Sequence, residues 1–382
     1  MNAKADTIHS EDDFLELVDR HFTNQHPHML LGRGDDCAEL LCPARICVSS
    51  DLFLEDVHFR RAYFSFEEIG YKALAVNISD LAACGGLPLG FNLNLMLPKN
   101  VSRSEVNSLL QGMAALAQRY NLPLIGGDLS SNAKLGLCLT VWGAPADFAP
   151  GELAGFAPDA PAGFHHSAQG PFLRRGNVGA GDVLFLLGGP SADKSLNLGM
   201  ARTGLQALEK WGRQQALARY PKACLAHLQP EVFPHLGMAL AKLAGQRPKA
   251  RLALMDVSDG LSRDLPRLLG QGNLAPNHLA SHQLTSSFGA NIDLPLNRLL
   301  EVLQPELLAY CCEQGLDPWQ HAFAGGEDYL LLGACSEAEF LSDALAELPH
   351  TLLLFGQVNS SGQITLNSSP LNLAGGFDHF GA

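Results

Sequence analysis

At 382 residues the chain exceeds one comfortable core, and roughly one domain per ~150 residues suggests two. An apolar share of 47% with 17% charged residues is ordinary for a compact globular protein and argues against extensive disorder. A formal charge of -13 leaves no general basic surface for duplex nucleic acid, so an anionic substrate needs local cations or bound divalent metal.

The N-terminus, Met1 to Phe14, is acidic and lacks an apolar signal region, and no stretch approaches the ~20 apolar residues of a membrane span. The expectation is a cytoplasmic protein. Nine cysteines without a CxxC pair read as reduced structural thiols.

Along the chain, Ser10 to Phe22 reads as a capped amphipathic helix with Phe14, Leu17, Val18 and Phe22 on its apolar face. Strand-like runs follow at Ile46 to Ser50 and Leu89 to Leu97. Between them Phe66 to Cys84 is helical and stops at Gly85-Gly86. A second helix is expected from about Ser104 to Tyr120, then strands near Leu122 to Ile125 and Leu135 to Trp142. That order argues for an α+β or mixed α/β domain. Ala144 to Pro171 is rich in Ala, Pro and Gly, includes His165-His166, and reads as a linker or insertion. The expected division is therefore residues 1–145, a linker over 146–172, and a second domain over 173–382. The second half is expected to hold a strand at Asp182 to Leu187, helices at Ser195 to Trp211, Pro234 to Leu243 and Leu261 to Leu269, and a strand at Tyr329 to Leu332.

Six junctions place acids beside glycines or at the ends of apolar runs. Gly34-Asp35-Asp36 sets two carboxylates side by side, which repel unless a cation lies between them. Ser49-Ser50-Asp51 closes an apolar strand and offers hard oxygen ligands, with Glu55 and His58 just after. Asp80 lies inside an apolar helix and needs a partner. Gly126-Gly127-Asp128 joins a strand to glycines whose N–H groups can approach phosphate oxygens. Asp256-Val257-Ser258-Asp259-Gly260 ends one strand and opens a helix, and Gly325-Gly326-Glu327-Asp328-Tyr329 enters another. Each one alone is compatible with turn or cap chemistry.

Taken in order, GDDCA, SSDLFLEDVHF, YKALAVNISDLAACGGLP, IGGDLS, DVSDGL and GGEDY closely resemble the thiamine-monophosphate kinases, in the superfamily that also contains aminoimidazole ribonucleotide synthetase. The likeness runs from Asp35 to the terminal Phe377-Asp378-His379-Phe380. It implies a two-domain α/β (α+β) fold with mixed sheets flanked by helices. It also implies a homodimer, with ATP as co-substrate and several Mg2+ ions in a cleft between domains. The reaction implied is ATP-dependent phosphorylation of thiamine monophosphate to thiamine diphosphate. Carried over by position, the resemblance implies metal ligation by Asp36, Ser49, Ser50, Asp51, Asp80, Asp128, Asp256 and Asp259, with Asp51, Asp80 and Asp128 catalytic. It implies nucleotide contacts by Gly126, Gly127, Arg175 and Ser258, and thiamine-phosphate contacts by His58, Glu327 and Phe377. His58 also has a plainer reading, an edge histidine bonded to backbone.

Some positions depart from that pattern. Leu129-Ser130-Ser131-Asn132 stands where two threonines and an arginine are usual, Val232-Phe233 where Pro-Arg is expected, Asp56 for glycine, and Leu330 for an acid. Two alternatives follow: a related ATP-using enzyme with another acceptor, or a nucleotide-binding homologue without catalysis. A separate rival, Gly188 to Ser195, follows a strand and precedes an expected helix, but a P-loop needs glycine where Asp193 stands.

Overall fold

A computed structural model describes residues 7–148, 170–271 and 288–371. The chain divides into two compact units, Met1–Leu81 with Gly86–Gly170, and Ala82–Gly85 with Pro171–Ala382. Most of the 146–172 insertion, with His165 and His166, lies outside the described residues, as does Phe377.

In the first unit α1 (Glu11–His21) starts where expected, because Ser10 accepts from the Asp13 N–H (3.1 Å) and three acids occupy the first turn. Short strands β1 (Met29–Leu31) and β2 (Glu39–Leu40) carry the Gly34-Asp35-Asp36 turn between them. β3 (Cys47–Leu54), α2 (Phe66–Cys84), β4 (Leu87–Leu97), α3 (Arg103–Arg119), β5 (Leu124–Ser131) and β6 (Gly136–Ala144) follow. Helix α3 opens with a full capping box between Ser102 and Glu105. Helices α2 and α3 meet backbone to backbone: a Cβ on Gly70 would stand 1.9 Å from the Leu109 carbonyl oxygen, and one on Gly112 1.9 Å from that of Glu67.

The four-stranded sheet has the order β3-β6-β4-β5, with β4 and β5 parallel and the other pairs antiparallel. β5 runs straight through Gly126-Gly127-Asp128, past the strand end expected near Ile125. Gly127 permits this, since a Cβ there would lie 1.8 Å from the Leu93 carbonyl oxygen.

The second unit holds β7 (Val183–Gly188), α4 (Met200–Arg219), α5 (Pro221–Leu228), α6 (Pro234–Gln246), β8 (Leu252–Asp256), α7 (Leu261–Leu268), β9 (Gly289–Ile292) and α8 (Leu296–Val302). It continues with α9 (Pro305–Gln314), α10 (Pro318–Phe323), β10 (Leu331–Cys335), α11 (Ala338–Leu345), β11 (Thr351–Asn359), β12 (Ile364–Leu366) and β13 (Ser369–Pro370). Its sheet, β13-β12-β9-β11-β7-β10-β8, is antiparallel except for the β12–β9 pair. Both sheets are mixed and accompanied by helices, in keeping with the expected class. Helix α4 begins at Met200, not Ser195, and breaks its helical backbone at Gly212. The delay has a local cause: Asp193 Oδ1 accepts from the Ser191 hydroxyl (2.5 Å), the Ser195 hydroxyl (2.5 Å) and the Ser195 N–H (3.0 Å). The Gly188–Ser195 segment thus closes on its own carboxylate and opens no helix, which removes the P-loop reading.

Candidate active site

Alternation along β3 turns Ser49 and Asp51 to one face and Val48, Ser50 and Leu52 to the other. The first face meets α2, for the Ser49 hydroxyl donates to Asp80 Oδ2 in a short hydrogen bond. Asp51 is pushed up to about 6, chiefly by burial and then by the charge of Asp80. A partly buried carboxylate with a second one beside it forms a donor set that a divalent cation neutralises. Magnesium suits a site offering one or two carboxylates, because it keeps waters and takes its other ligands from phosphate. Among the described residues no three or more His, Cys, Asp or Glu side chains gather as a closed metal cage.

Other expected ligands stand apart from this pair. Ser50 points to the opposite face, donating to the Leu139 carbonyl (3.0 Å) beside the Thr140 hydroxyl (2.9 Å). Asp36 is exposed in its turn, where its N–H donates to Asp35 Oδ1 (2.7 Å). Asp128 is exposed on β5, with the Ser130 hydroxyl 3.4 Å from Oδ2. The register aligns Asp51, Leu139, Leu93 and Gly127 in one row across the sheet, so Asp51 and Asp128 lie on opposite edge strands. Three strand spacings separate them, about 14 Å, and Asp128 shares the face of Leu52 rather than that of Asp51. One ion cannot be ligated by both within a single chain. His58 accepts the Leu54 N–H at Nδ1 (3.0 Å) and stacks on Phe53, so its backbone bond is realised.

In the second unit the DVSDG and GGEDY segments interlock. The Val257 N–H donates to the Leu330 carbonyl (2.8 Å), Tyr329 N–H to Val257 (2.9 Å) and Glu327 N–H to Ser258 (2.8 Å). Asp256 ends the edge strand β8 and is 7% exposed. Asp264, buried in α7, accepts from the Ser258 N–H (3.0 Å) and Asp259 N–H (2.9 Å), while Arg267 bridges Asp259 Oδ2 (2.6 Å) and Asp264 Oδ1 (2.9 Å). Burial foremost raises Asp264 to about 6. Asp328 is buried and accepts from the Gly199 N–H (2.5 Å) and Ala201 N–H (3.1 Å) at the start of α4. Burial raises it well above the carboxylate range. Its neighbours Glu327 and Tyr329 take left-handed backbone, φ 64° and 51°, which is strained for such residues. Arg175 is exposed in a turn whose next N–H, of Gly176, reaches the Leu268 carbonyl (3.0 Å) at the end of α7.

Sequence reasoning assigned no role to Asp264, Arg267, Asp328 or His227. The Asp264–Arg267 spacing of three on one helix was a readable signal. His227 meets Glu327 across a hundred residues of chain and left none. A concavity of about 750 Å³, lined by residues 19–26 and by Ala117, Gln118, Asn121, Leu122 and Pro123, includes none of these acids.

Residues 34–144 match the family model described as AIR synthase related protein, N-terminal domain. A thiamine-monophosphate kinase from Synechococcus elongatus is 30% identical over 91% of this chain and 91% of its own. The crystal structure of thiamine-monophosphate kinase from Stenotrophomonas maltophilia K279a aligns with TM-score 0.70 and 26% identity, covering 95% of this chain and 98% of that one. AaThiL, solved in complex with AMPPCP and TMP, aligns with TM-score 0.64 at 23% identity, covering 97% of each chain, and supports the fold. With that identity sustained over nine-tenths of both sequences, the chain belongs to the thiamine-monophosphate kinase family.

Proposed function

We propose that this enzyme transfers the γ-phosphoryl group of ATP to thiamine monophosphate, giving thiamine diphosphate and ADP. The observation that carries the chemistry is the Ser49–Asp80 and Asp51 arrangement, in which burial and mutual charge leave Asp51 pushed up to about 6. Ser49, Asp51 and Asp80 would hold Mg2+. Asp36, Ser50, Asp128, Asp256 and Asp259 are the further ligands we assign, and Asp51, Asp80 and Asp128 the catalytic set. Bound magnesium supplies neutralisation of the phosphate oxygens.

The residues around that charge do the remaining work. Gly126, Gly127, Ser258 and the exposed Arg175 would orient the nucleotide. His58, Glu327 and Phe377 would hold the acceptor, the phenyl ring of Phe377 suiting a cationic thiazolium and the Glu327 carboxylate accepting from an aminopyrimidine. A phosphate acceptor with second pKa of about 6 is already largely ionised at neutral pH, so alignment rather than a strong base is what these side chains must provide.

A homodimer goes with this reading. Asp128 and Asp51 occupy opposite edges of one sheet, so a second copy is the economical way to bring such groups to a shared ion. The outward face offers apolar surface for it, with Val48 59% and Leu52 53% exposed. Light scattering that finds only monomer at micromolar concentration, with activity intact, would remove the dimer. Among the described residues no helix is long and apolar enough to cross a membrane. We assign the enzyme to the cytoplasm.

The deciding experiment incubates purified protein with Mg-ATP and thiamine monophosphate and separates the products by chromatography. Thiamine diphosphate and ADP are expected in equal amounts. Protein that binds ATP yet forms no diphosphate above a blank would overturn the assignment and favour a non-catalytic nucleotide-binding homologue. ADP formed only with another acceptor would favour a related enzyme.

A further inference from the structure

We infer that His227 is a positioning residue that fixes the carboxylate of Glu327 as a preset hydrogen-bond acceptor for the substrate's amino group. This rests on Glu327 facing the acceptor substrate, as proposed above, and assigns a residue outside every motif of the sequence.

His227 sits in the last turn of α5 and is 2% exposed. Its Nδ1 lies 3.1 Å from Glu327 Oε2. An ionised carboxylate has no proton to give, so Nδ1 must donate, whether the imidazole is neutral or charged. The tautomer is thereby set by the contact. Glu327 itself is 31% exposed, so the carboxylate that His227 grips at one oxygen still reaches solvent.

The backbone is set as firmly as the side chain. Glu327 adopts φ 64°, and its N–H is tied to the Ser258 carbonyl at 2.8 Å. On the next residue the buried Asp328 carboxylate is pinned to the first N–H groups of α4. Gly326 lies so near the DVSDG turn that a Cβ there would stand 2.6 Å from the Ser258 carbonyl oxygen. Held at its main chain by these contacts and at its tip by His227, Glu327 has little rotamer freedom left to lose when a ligand arrives. Preorganisation of this kind sharpens discrimination, because an acceptor that cannot turn away is left unpaired by a ligand lacking the donor.

The test compares thiamine monophosphate with the analogue whose pyrimidine amino group is replaced by oxygen, measuring binding by calorimetry and turnover with Mg-ATP. The unaltered protein should prefer the amino compound. His227→Leu should raise KM for it about 10-fold, the worth of one charge-assisted hydrogen bond, and collapse the preference. KM for ATP and kcat should stay within about twofold. His227→Asn, whose amide can donate from near the Nδ1 position, should recover most of the preference, which a merely structural role would not require. Normal discrimination by a folded His227→Leu protein overturns the role of His227 alone. An unaltered protein that binds and phosphorylates neither compound overturns the functional assignment with it.

Discussion

The acids of the first unit and those of the second are held in opposite ways. Asp51 and Asp80 stand near one another with a serine hydroxyl between strand and helix, and burial first, then the charge of Asp80, raises Asp51. In the second unit Asp264 and Asp328 are buried more deeply, yet each accepts two backbone N–H groups, and Arg267 adds its charge to Asp259 and Asp264. The first arrangement gains most from an added cation. The second, where burial raises Asp264 and Asp328 at least as far, is already satisfied by hydrogen bonds, and what it delivers is rigid geometry for the turns that carry Ser258 and Glu327. Burial alone therefore does not single out Asp51 and Asp80 as the proposed core of the metal site; like charges at a partly open strand do.

The largest expected effect follows from breaking the first arrangement. Asp51→Asn should lower kcat by ~10³-fold or more, in keeping with loss of a charge-stabilising group. It should also weaken Mn2+ binding followed by calorimetry. The metal-free protein should respond the other way. A folded pKa raised above the unfolded value means that stability is lost as pH rises through about 6. Removing the charge should therefore raise metal-free stability at pH 8 by up to ~2 kcal/mol. A variant with normal turnover, or one less stable than the parent without metal, would contradict the picture of an unbalanced pair.

For the second arrangement the sharp test is Asp328. Asp328→Ala leaves the Gly199 and Ala201 N–H groups buried without acceptors and should destabilise the protein by ~4 kcal/mol in denaturant melts. Asp328→Asn should lose less than half of that, since an amide oxygen still accepts and burial already disfavours the charge. Equal losses in the two variants would mean that the ionised carboxylate, not the acceptor geometry, holds the turn.

What could be read from sequence divides along the same line. Local signals served well: the Ser10 cap placed α1, and the glycine pair after Cys84 ended α2. The order of motifs identified the family. Contacts set by distant chain segments were not legible. The extension of β5 through Gly126 and Gly127 depends on pairing with β4, and the opposite-edge placement of Asp51 and Asp128 depends on β6 inserting next to β3. The motif read Asp328 as part of a glycine turn. Its actual task, accepting from the Gly199 N–H at a helix start 129 residues earlier, has no local sign. The delayed start of α4 was local in cause, yet it turned on which of two serines Asp193 would bind, and it bound both.

The smallest difference expected lies between two buried histidines, one taken from each unit, and asks whether the contrast extends beyond carboxylates. Burial lowers His28 to about 4, with the neighbouring His26 ring, 2.8 Å away at Nδ1, adding to it. Burial likewise lowers His321, whose Nε2 meets the Thr203 hydroxyl at 2.9 Å. Because each folded pKa lies below the unfolded value of about 6.5, the unfolded chain takes up protons first. Stability is thus complete above pH ~6.5 and declines as pH falls toward 4, by up to ~3 kcal/mol for each group. His321→Asn should flatten the part of that decline belonging to the second unit, and His28→Asn the part belonging to the first, read as the slope of melting temperature against pH. Each ring also faces a second cationic group, His26 beside His28 and Arg202 near His321, and both are lowered to about 4. The two variants should therefore flatten the slope by similar amounts, and a clearly larger change in His28→Asn would extend the charge imbalance of the first unit beyond its aspartates.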